Sequence, residues 1–143
     1  MGCKRSWSAD PSLLVKANQL KSLDLSDGAW QTVSNDIGQF AQLKKLNLAE
    51  NELEDLPNEF AKLQALKKLD LSNNHFEELP ASIFKLKNLK ELDLRHNQLD
   101  KIPKEIAQLK KLQSLYLNGN AISAEERREL RRYLPKTQVV GGE

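Results

Sequence analysis

The sequence is organised by leucines that recur every 23 residues, and this repeat constrains the fold more than any other feature. Each opening leucine is followed three and five residues later by another, so the motif L-x-x-L-x-L occurs five times and uses fifteen of the 26 leucines in the 143-residue chain. The opening residues are Leu20, Leu43, Leu66, Leu89 and Leu112. A fixed period of this length indicates stacked units, each of which buries its apolar face against its neighbours.

The rest of each repeat predicts a strand, a turn and a short helix. The alternation x-L-x-L favours a strand with one buried face. A proline in the three central repeats suits the first position of a helix, and an apolar pair spaced i, i+3 gives that helix a buried stripe. These prolines are Pro57, Pro80 and Pro103.

An asparagine stands eight residues after the opening leucine in the last four repeats, and Gly28 replaces it in the first. The asparagines are Asn51, Asn74, Asn97 and Asn120. A chain that turns sharply inward buries backbone polar groups, which side-chain amides can satisfy by both donating and accepting. We therefore predict a column of amides bonded to the backbone.

The combined pattern L-x-x-L-x-L-x-x-N-x-L-x-x-L-P-x-x-I/F-x-x-L-x-x, over roughly residues 20–122, resembles that of leucine-rich repeat proteins of the 23-residue class. The resemblance implies an α/β fold: a right-handed solenoid with a parallel β-sheet on the concave face and short helices or 3₁₀ turns on the convex face. Helical caps are expected at both ends. A flexible tail is expected over 1–10, the solenoid with an N-terminal half-repeat over 11–122, and a capping helix and tail over 123–143.

The C-terminal segment carries signals of a helix. Ser123-Ala124-Glu125-Glu126 is a capping box, Leu130 and Leu134 supply a buried stripe, and Pro135 ends the helix. The run I-S-x-E-E-R-x-x-L-R-x-x-L-P-K is similar to the ending of small bacterial leucine-rich repeat proteins, notably those of Leptospira. The basic residues of this helix would either dock an anionic partner or form a solvated face.

The outward positions of the predicted strands form the candidate protein-binding surface. They are polar and of mixed charge, and the exposed aromatic ring of Tyr116 is typical of an anchor. We expect the contact residues to be Lys45, Asn47, Lys68, Asp70, Glu91, Asp93, Arg95, His96, Tyr116 and Asn118. The alternative is that these charges pair across strands and only keep the sheet soluble.

Composition and motifs exclude several other functions. A net charge of +2, from 22 basic and 20 acidic residues, gives no overall field toward nucleic acid, and the single cysteine excludes a multi-cysteine zinc site. His75 and His96 lie in adjacent repeats, but no third metal ligand is evident. No constellation of catalytic residues is apparent either. We therefore expect a non-catalytic protein-protein interaction module without cofactor or metal, monomeric or weakly self-associating, with a self-assembling solenoid as the alternative.

The first six residues, Met1-Gly2-Cys3-Lys4-Arg5-Ser6, leave three interpretations open. Gly2-Cys3 resembles the end of a bacterial lipoprotein signal, in which Cys3 is lipidated. The motif M-G-x-x-x-[ST] with an adjacent cysteine also fits double acylation of a membrane-anchored intracellular scaffold. The third interpretation is an unmodified N-terminus. The first would place the protein in the bacterial envelope or among secreted proteins that contact host or envelope proteins, and the third allows a cytoplasmic location.

Overall fold

The computed structural model describes residues 4–141, which form a solenoid of stacked coils. Within this part of the chain, every L-x-x-L-x-L motif contributes one strand and every central repeat one 3₁₀ turn. The helices and strands in chain order are β1 Ser6–Trp7, α1 Pro11–Val15, β2 Ser22–Asp24, β3 Thr32–Val33, β4 Lys45–Asn47, β5 Lys68–Asp70, β6 Glu91–Asp93, β7 Ser114–Tyr116, α2 Ala124–Tyr133 and β8 Gln138–Val140.

The main sheet has six parallel strands in the order β2-β4-β5-β6-β7-β8. In the first four of its five strand pairs, each residue lies opposite the one 23 positions later, so Leu23, Leu46 and Leu69 lie side by side and the series continues to Leu115. The last pairing aligns Leu115 with Val139. The parallel sheet predicted from the alternating leucines is therefore confirmed, and the right-handed sense of the coil stays a prediction.

Four 3₁₀ turns lie opposite the sheet, where the repeat predicts short helices. They span Asn35–Gln39, Asn58–Lys62, Ala81–Lys85 and Lys104–Gln108. The prolines are expected at the first position of each helix, but they lie one residue earlier, at the N-cap. Pro57 is the N-cap of its turn, with φ −70° and ψ 156°, and its carbonyl accepts a hydrogen bond from the N–H of Phe60 at 3.0 Å.

The core is a ladder of aliphatic side chains between the sheet and the 3₁₀ turns. The leucines of the L-x-x-L-x-L motifs in the last four repeats are all at most 3% exposed. Those of the first repeat are only partly buried because fewer coils cover them. Phe40, Phe60 and Phe76 are fully buried in the same core as the leucines. The stacked-core expectation is thus met.

The N-terminal segment is attached to the first repeat by a short parallel strand pair. β1 pairs with β3, and the Trp7 side chain is 5% exposed with its ring 6.2 Å from that of Phe40. The Arg5 Nε donates to the Gly28 carbonyl at 2.7 Å, and its guanidinium lies 4.6 Å from the Trp30 ring centroid. Strand β1 thus lies inside the segment 1–10 for which a flexible tail is expected, because Trp7 has apolar surface to bury.

The C-terminal segment packs on the last coil and extends the sheet. α2 begins after Ser123, whose hydroxyl accepts the Glu126 N–H at 3.1 Å, and it buries Leu130. β8 then pairs with β7 at the edge of the sheet. Neither helix in residues 4–141 is long and apolar enough to cross a bilayer.

Candidate functional site

The outward side of β4–β7 and the turns that follow these strands is called here the strand face. Seven of the ten expected contact residues lie in these strands: Lys45, Asn47, Lys68, Asp70, Glu91, Asp93 and Tyr116. The other three, Arg95, His96 and Asn118, follow the strand ends. Because the strands pair in register, these residues form rows across the face. Lys45, Lys68, Asp70 and Glu91 help to line a depression of about 260 Å³.

The row of acidic and amide side chains at the strand ends forms hydrogen bonds to the backbone of the following turns. The Oδ1 atoms of Asp24, Asn47 and Asp70 each accept the N–H two residues later at 2.9 Å, and Asp93 does the same at 3.1 Å. Such Asx turns allow the chain to leave the strand sharply. Tyr116 occupies the same position in β7, so its side chain is not used in this way.

The residue three positions after each Asx-turn residue adopts a left-handed backbone. The φ value is 54° for Asp27 and 57° for each of Glu50, Asn73 and His96, and the corresponding residue after β7 is Gly119 with φ 78°. A Cβ at Gly119 would lie 2.2 Å from the Nδ1 atom of His96. The expected contact residue His96 is exposed. Its ring nevertheless packs against the next coil, and its left-handed backbone constrains the turn.

Asp93, Arg95 and Tyr116 form a cluster at one end of the strand face. Arg95 Nε lies 2.9 Å from Asp93 Oδ1, and Arg95 Nη2 lies 2.6 Å from Asp93 Oδ2. The hydrogen bond and charge of Asp93 raise the pKa of Arg95 above its ordinary value. The guanidinium lies 5.5 Å from the Tyr116 ring centroid, within the range of a cation–π interaction.

In this cluster Asp93 offers little free carboxylate surface, and its expected contact with a partner stays a prediction. Asp93 is only 9% exposed and both of its carboxylate oxygens are bonded to Arg95. Its role is to hold the guanidinium, whose side chain is 47% exposed. The cluster therefore presents a fixed cation and an aromatic ring, rather than a free carboxylate.

Serine hydroxyls engage the carboxylates of two other strand ends. Ser72 Oγ donates to Asp70 Oδ1 at 2.6 Å, and Ser26 Oγ donates to Asp24 Oδ1 at the same distance. The Ser26 hydroxyl bond lowers the pKa of the Asp24 carboxyl below its ordinary value of 3.8. Ser72 and Ala49 are both buried. They hold equivalent positions just after β5 and β4, where the repeat predicts outward side chains.

Cross-strand ion pairing does not account for the charges of the strand face. Between residues 4 and 141, ion pairs within 4.0 Å are limited to Arg95–Asp93 and Arg132–Glu129, and both lie within one coil or helix. Lys45 and Lys68 are directly opposite each other in register and both are exposed. Like charges in this arrangement are unfavourable, so the face retains charge that a partner can neutralise.

The asparagine column lies beside the strand face and fixes the turns beneath it. Asn74 Nδ2 donates to the carbonyls of Leu48 and Leu71 at 2.9 and 3.1 Å, and its Oδ1 accepts the Leu53 N–H at 3.0 Å. Asn51, Asn97 and Asn120 repeat this arrangement. Asn51 Oδ1 also accepts the N–H of Gly28, so the column serves the first repeat. The predicted role of the amides is confirmed.

Metal and lipid sites receive less support from the geometry. Within the described range, no group of three or more His, Cys, Asp or Glu side chains is placed to hold a metal ion. The expected lipidation site, Cys3, lies outside the described residues.

Comparisons with known proteins agree with this architecture. The family model described as "Leucine rich repeat" matches residues 18–76 and 64–122. A solved structure of the Leptospira interrogans LRR protein LIC12759 is similar at 37% identity and a TM-score of 0.78, covering 92% of this chain and 33% of that one. The leucine-rich repeat domain of the type III effector XCV3220 (XopL) is similar at 25% identity and a TM-score of 0.74, covering 94% of this chain and 47% of that one.

The chain thus spans about a third to a half of the length of these structures. No curated protein matches the sequence.

Proposed function

Because the chain belongs to the leucine-rich repeat family, we propose that it is a non-catalytic protein-binding module whose contact surface is the strand face. The observation that carries this proposal is the Arg95–Tyr116 pair, an exposed guanidinium held by Asp93 beside a half-exposed ring. Arginine and tyrosine are the residue types most often found at the energetic centre of protein interfaces. Pre-positioning of the guanidinium also lowers the entropy lost on binding.

The charge distribution of the strand face defines the chemistry of the partner. Lys45 and Lys68 give one part of the depression a positive charge, whereas Asp70 and Glu91 give the adjoining part a negative charge. A protein segment that carries an acidic and a basic side chain a few residues apart would match both parts. The ring of Tyr116 would cover an apolar group of the same segment.

The size of the face sets the expected affinity. Strands of three residues at a spacing of ~4.8 Å give an area of some 300–500 Å², whereas a standard interface takes about 800 Å² from each partner. We therefore expect weak binding by the strand residues alone. Stronger binding would require contributions from the neighbouring turns.

The proposal is tested by replacing the aromatic anchor without disturbing the fold. Tyr116→Asn places in β7 the residue that β4 has as Asn47, whose side chain stabilises the same turn. We expect unchanged thermal unfolding and a loss of crosslinking to a protein partner through a photoreactive residue at position 68. Gln108→Asn, on the exposed side of a 3₁₀ turn, is the matched control and should leave crosslinking unchanged. Equal crosslinking by Tyr116→Asn and Gln108→Asn would overturn the proposal.

A location in the bacterial envelope or outside the cell, with Cys3 lipidated, is the second part of the proposal. It is supported by the Gly2-Cys3 sequence and by the similarity to a Leptospira protein. Intact mass spectrometry of the protein from its native source should show the added mass of acyl chains, removed by Cys3→Ser. An unmodified Cys3 in that material would contradict it.

A further inference from the structure

The near-neutral net charge conceals two oppositely charged edges on either side of the strand face. The lysine edge lies where the chain enters the strands, and its central column is Lys21, Lys44, Lys67 and Lys90. The acidic edge lies between the asparagine column and the following 3₁₀ turns. Its central column is Glu54, Glu77 and Asp100.

The lysine edge is a regular column with one residue per coil. The N–H of Lys44 donates to the Lys21 carbonyl at 2.7 Å, and Lys67 and Lys90 each donate to the preceding lysine at 2.8 Å. These bonds fix the column at the spacing of adjacent strands, about 5 Å. Together with Lys111, three of these lysines line a concavity of about 350 Å³ that has no carboxylate in its lining.

The acidic edge has the same repeat because its backbone is held in the same register. The N–H of His75 donates to the Leu53 carbonyl, and the N–H of Gln98 to the Phe76 carbonyl, at 2.8 and 2.9 Å. All the carboxylates there are exposed, and they line a groove of about 880 Å³. The lining of this groove has one lysine, Lys101, and five acidic residues, which are Glu54, Asp55, Glu77, Glu78 and Asp100.

Neither column is neutralised inside the described part of the molecule. Neither ion pair found between residues 4 and 141 includes a residue of the two columns. Lys111 Nζ bonds to a neutral group, the Asn88 amide oxygen, at 2.8 Å. Stacking like charges at this spacing is unfavourable, and a surface that carries the opposite charge at the same spacing would relieve it.

Other anionic surfaces match the lysine column less well. An acidic stripe on an α-helix repeats at about 5.4 Å per turn and falls out of step with the coils. Single-stranded nucleic acid would need aromatic platforms, and the column holds only lysine. A membrane anchored through the N-terminus would lie near the acidic edge and away from the lysine edge. Arg5 and β1 bond to residues 28–33, which are next to the acidic edge.

We propose that the lysine edge of one molecule docks side by side against the acidic edge of a second copy of this chain. The same repeat sets the spacing of both columns. Each of the three acidic residues in the column of one molecule can therefore lie opposite a lysine in the column of the other. The two edges of one molecule are different surfaces, and such an interface extends into open rows rather than closing as a dimer. The strand faces of neighbours then adjoin, which enlarges the small contact area of a single molecule.

The first test is the salt dependence of self-association, measured by sedimentation velocity over a range of protein concentrations. The contact is exposed and ionic, so it is weak and screened. We expect the weight-average sedimentation coefficient to rise with concentration at about 0.01 M salt, where the Debye length is ~30 Å, and to stay at the monomer value at about 1 M, where it is ~3 Å. A monomer at every concentration in low salt would overturn the proposal.

The second test reverses the charge of one edge at a time. The lysine-edge variant is Lys44→Glu with Lys67→Glu and Lys90→Glu, and the acidic-edge variant is Glu54→Lys with Glu77→Lys and Asp100→Lys. Each variant alone carries the same sign on both edges, so its association should weaken by about tenfold or more. An equimolar mixture of the two should associate again.

A matched control separates edge contacts from net charge. Lys104→Glu with Arg131→Glu and Lys136→Glu makes the same change in net charge as the lysine-edge variant at exposed positions outside both edges, and should associate like the wild type. Circular dichroism verifies that each variant is folded. Association that survives reversal of either edge, or a mixture that stays monomeric, would overturn the proposal and leave the strand-face function untouched.

Discussion

At the scale of single residues, the asparagine column is the feature on which the coils depend. Each amide bonds to backbone groups of its own coil and of the preceding one, so a single side chain fixes two turns. The same backbone groups are buried and cannot reach water. The amide therefore contributes mainly by avoiding unsatisfied groups, which cost more than a hydrogen bond gains.

Replacing Asn74 by leucine should destabilise the protein strongly. The change leaves the buried Leu53 N–H without a partner. It also removes the Asn74 bonds to the carbonyls of Leu48, Leu71 and Ser72, although the first two keep a bond from the neighbouring asparagine. About 1–3 kcal/mol for the unsatisfied N–H and about 0.5–1.5 kcal/mol for each lost bond give a loss of roughly 3 kcal/mol or more in the free energy of unfolding. Urea denaturation followed by circular dichroism measures this loss. Asn58→Leu is the control, since Asn58 is exposed and makes no side-chain hydrogen bond in the structure. Equal losses for both variants would contradict the role of the column.

Residue-scale prediction from the sequence succeeded where the repeat determines the environment. The column was predictable because an amide recurs at one position, and the repeat gave the strand-face rows for the same reason. The role of Asp93 was not predictable, because its bonds to Arg95 depend on the side chains around one turn. The same holds for the burial of Ala49 and Ser72.

At the scale of elements, the two-residue strand β1 is held against the first repeat largely by one side chain, that of Trp7. Its backbone bonds are few: the Ser34 N–H donates to the Trp7 carbonyl at 2.8 Å, and the Gln31 N–H to that of Arg5 at 2.7 Å. Trp7 adds a buried ring packed near Phe40. The repeat contains no information on this contact, so the sequence alone predicts a flexible tail there.

Trp7→Ala should release this segment from the first repeat. Loss of a buried aromatic side chain costs about 3–5 kcal/mol when the site cannot collapse. We expect hydrogen exchange at the amides of Gln31 and Ser34 to accelerate while the amides of β6 keep their protection. Trp30→Ala, at a half-buried ring, is the comparison and should affect Ser34 less. Unchanged exchange at both amides in the Trp7 variant would show that the backbone bonds alone hold β1.

At the scale of the whole molecule, stability comes from the stacking of each coil on its neighbours. A central coil is covered on both sides, whereas the first repeat leaves its leucines partly exposed. The overall architecture was predictable for this reason, since the fifteen leucines describe the stacking completely. The charged edges follow the same repeat, but the net charge of +2 averages over both of them, and the structure adds which surface each column occupies.

The same truncation should therefore have a different cost in different coils. Leu92→Ala, at a fully buried position in β6, should lower the free energy of unfolding by about 2–5 kcal/mol. Leu23→Ala, at the equivalent position in β2, should cost less because part of that side chain already contacts solvent. Differential scanning calorimetry of both variants measures the difference. Equal costs would mean that the end coil is as tightly packed as the middle.

The constant register of the sheet has a consequence for how such a protein changes in evolution. Each repeat strand from β2 to β7 of the main sheet is offset from the next by the same number of residues, and each amide reaches only one coil back. A duplicated or deleted gene segment that encodes one complete coil would therefore leave every remaining contact in phase. The molecule can grow or shrink in whole steps of about 5 Å, whereas an insertion of any other length would have to leave the stack as a loop.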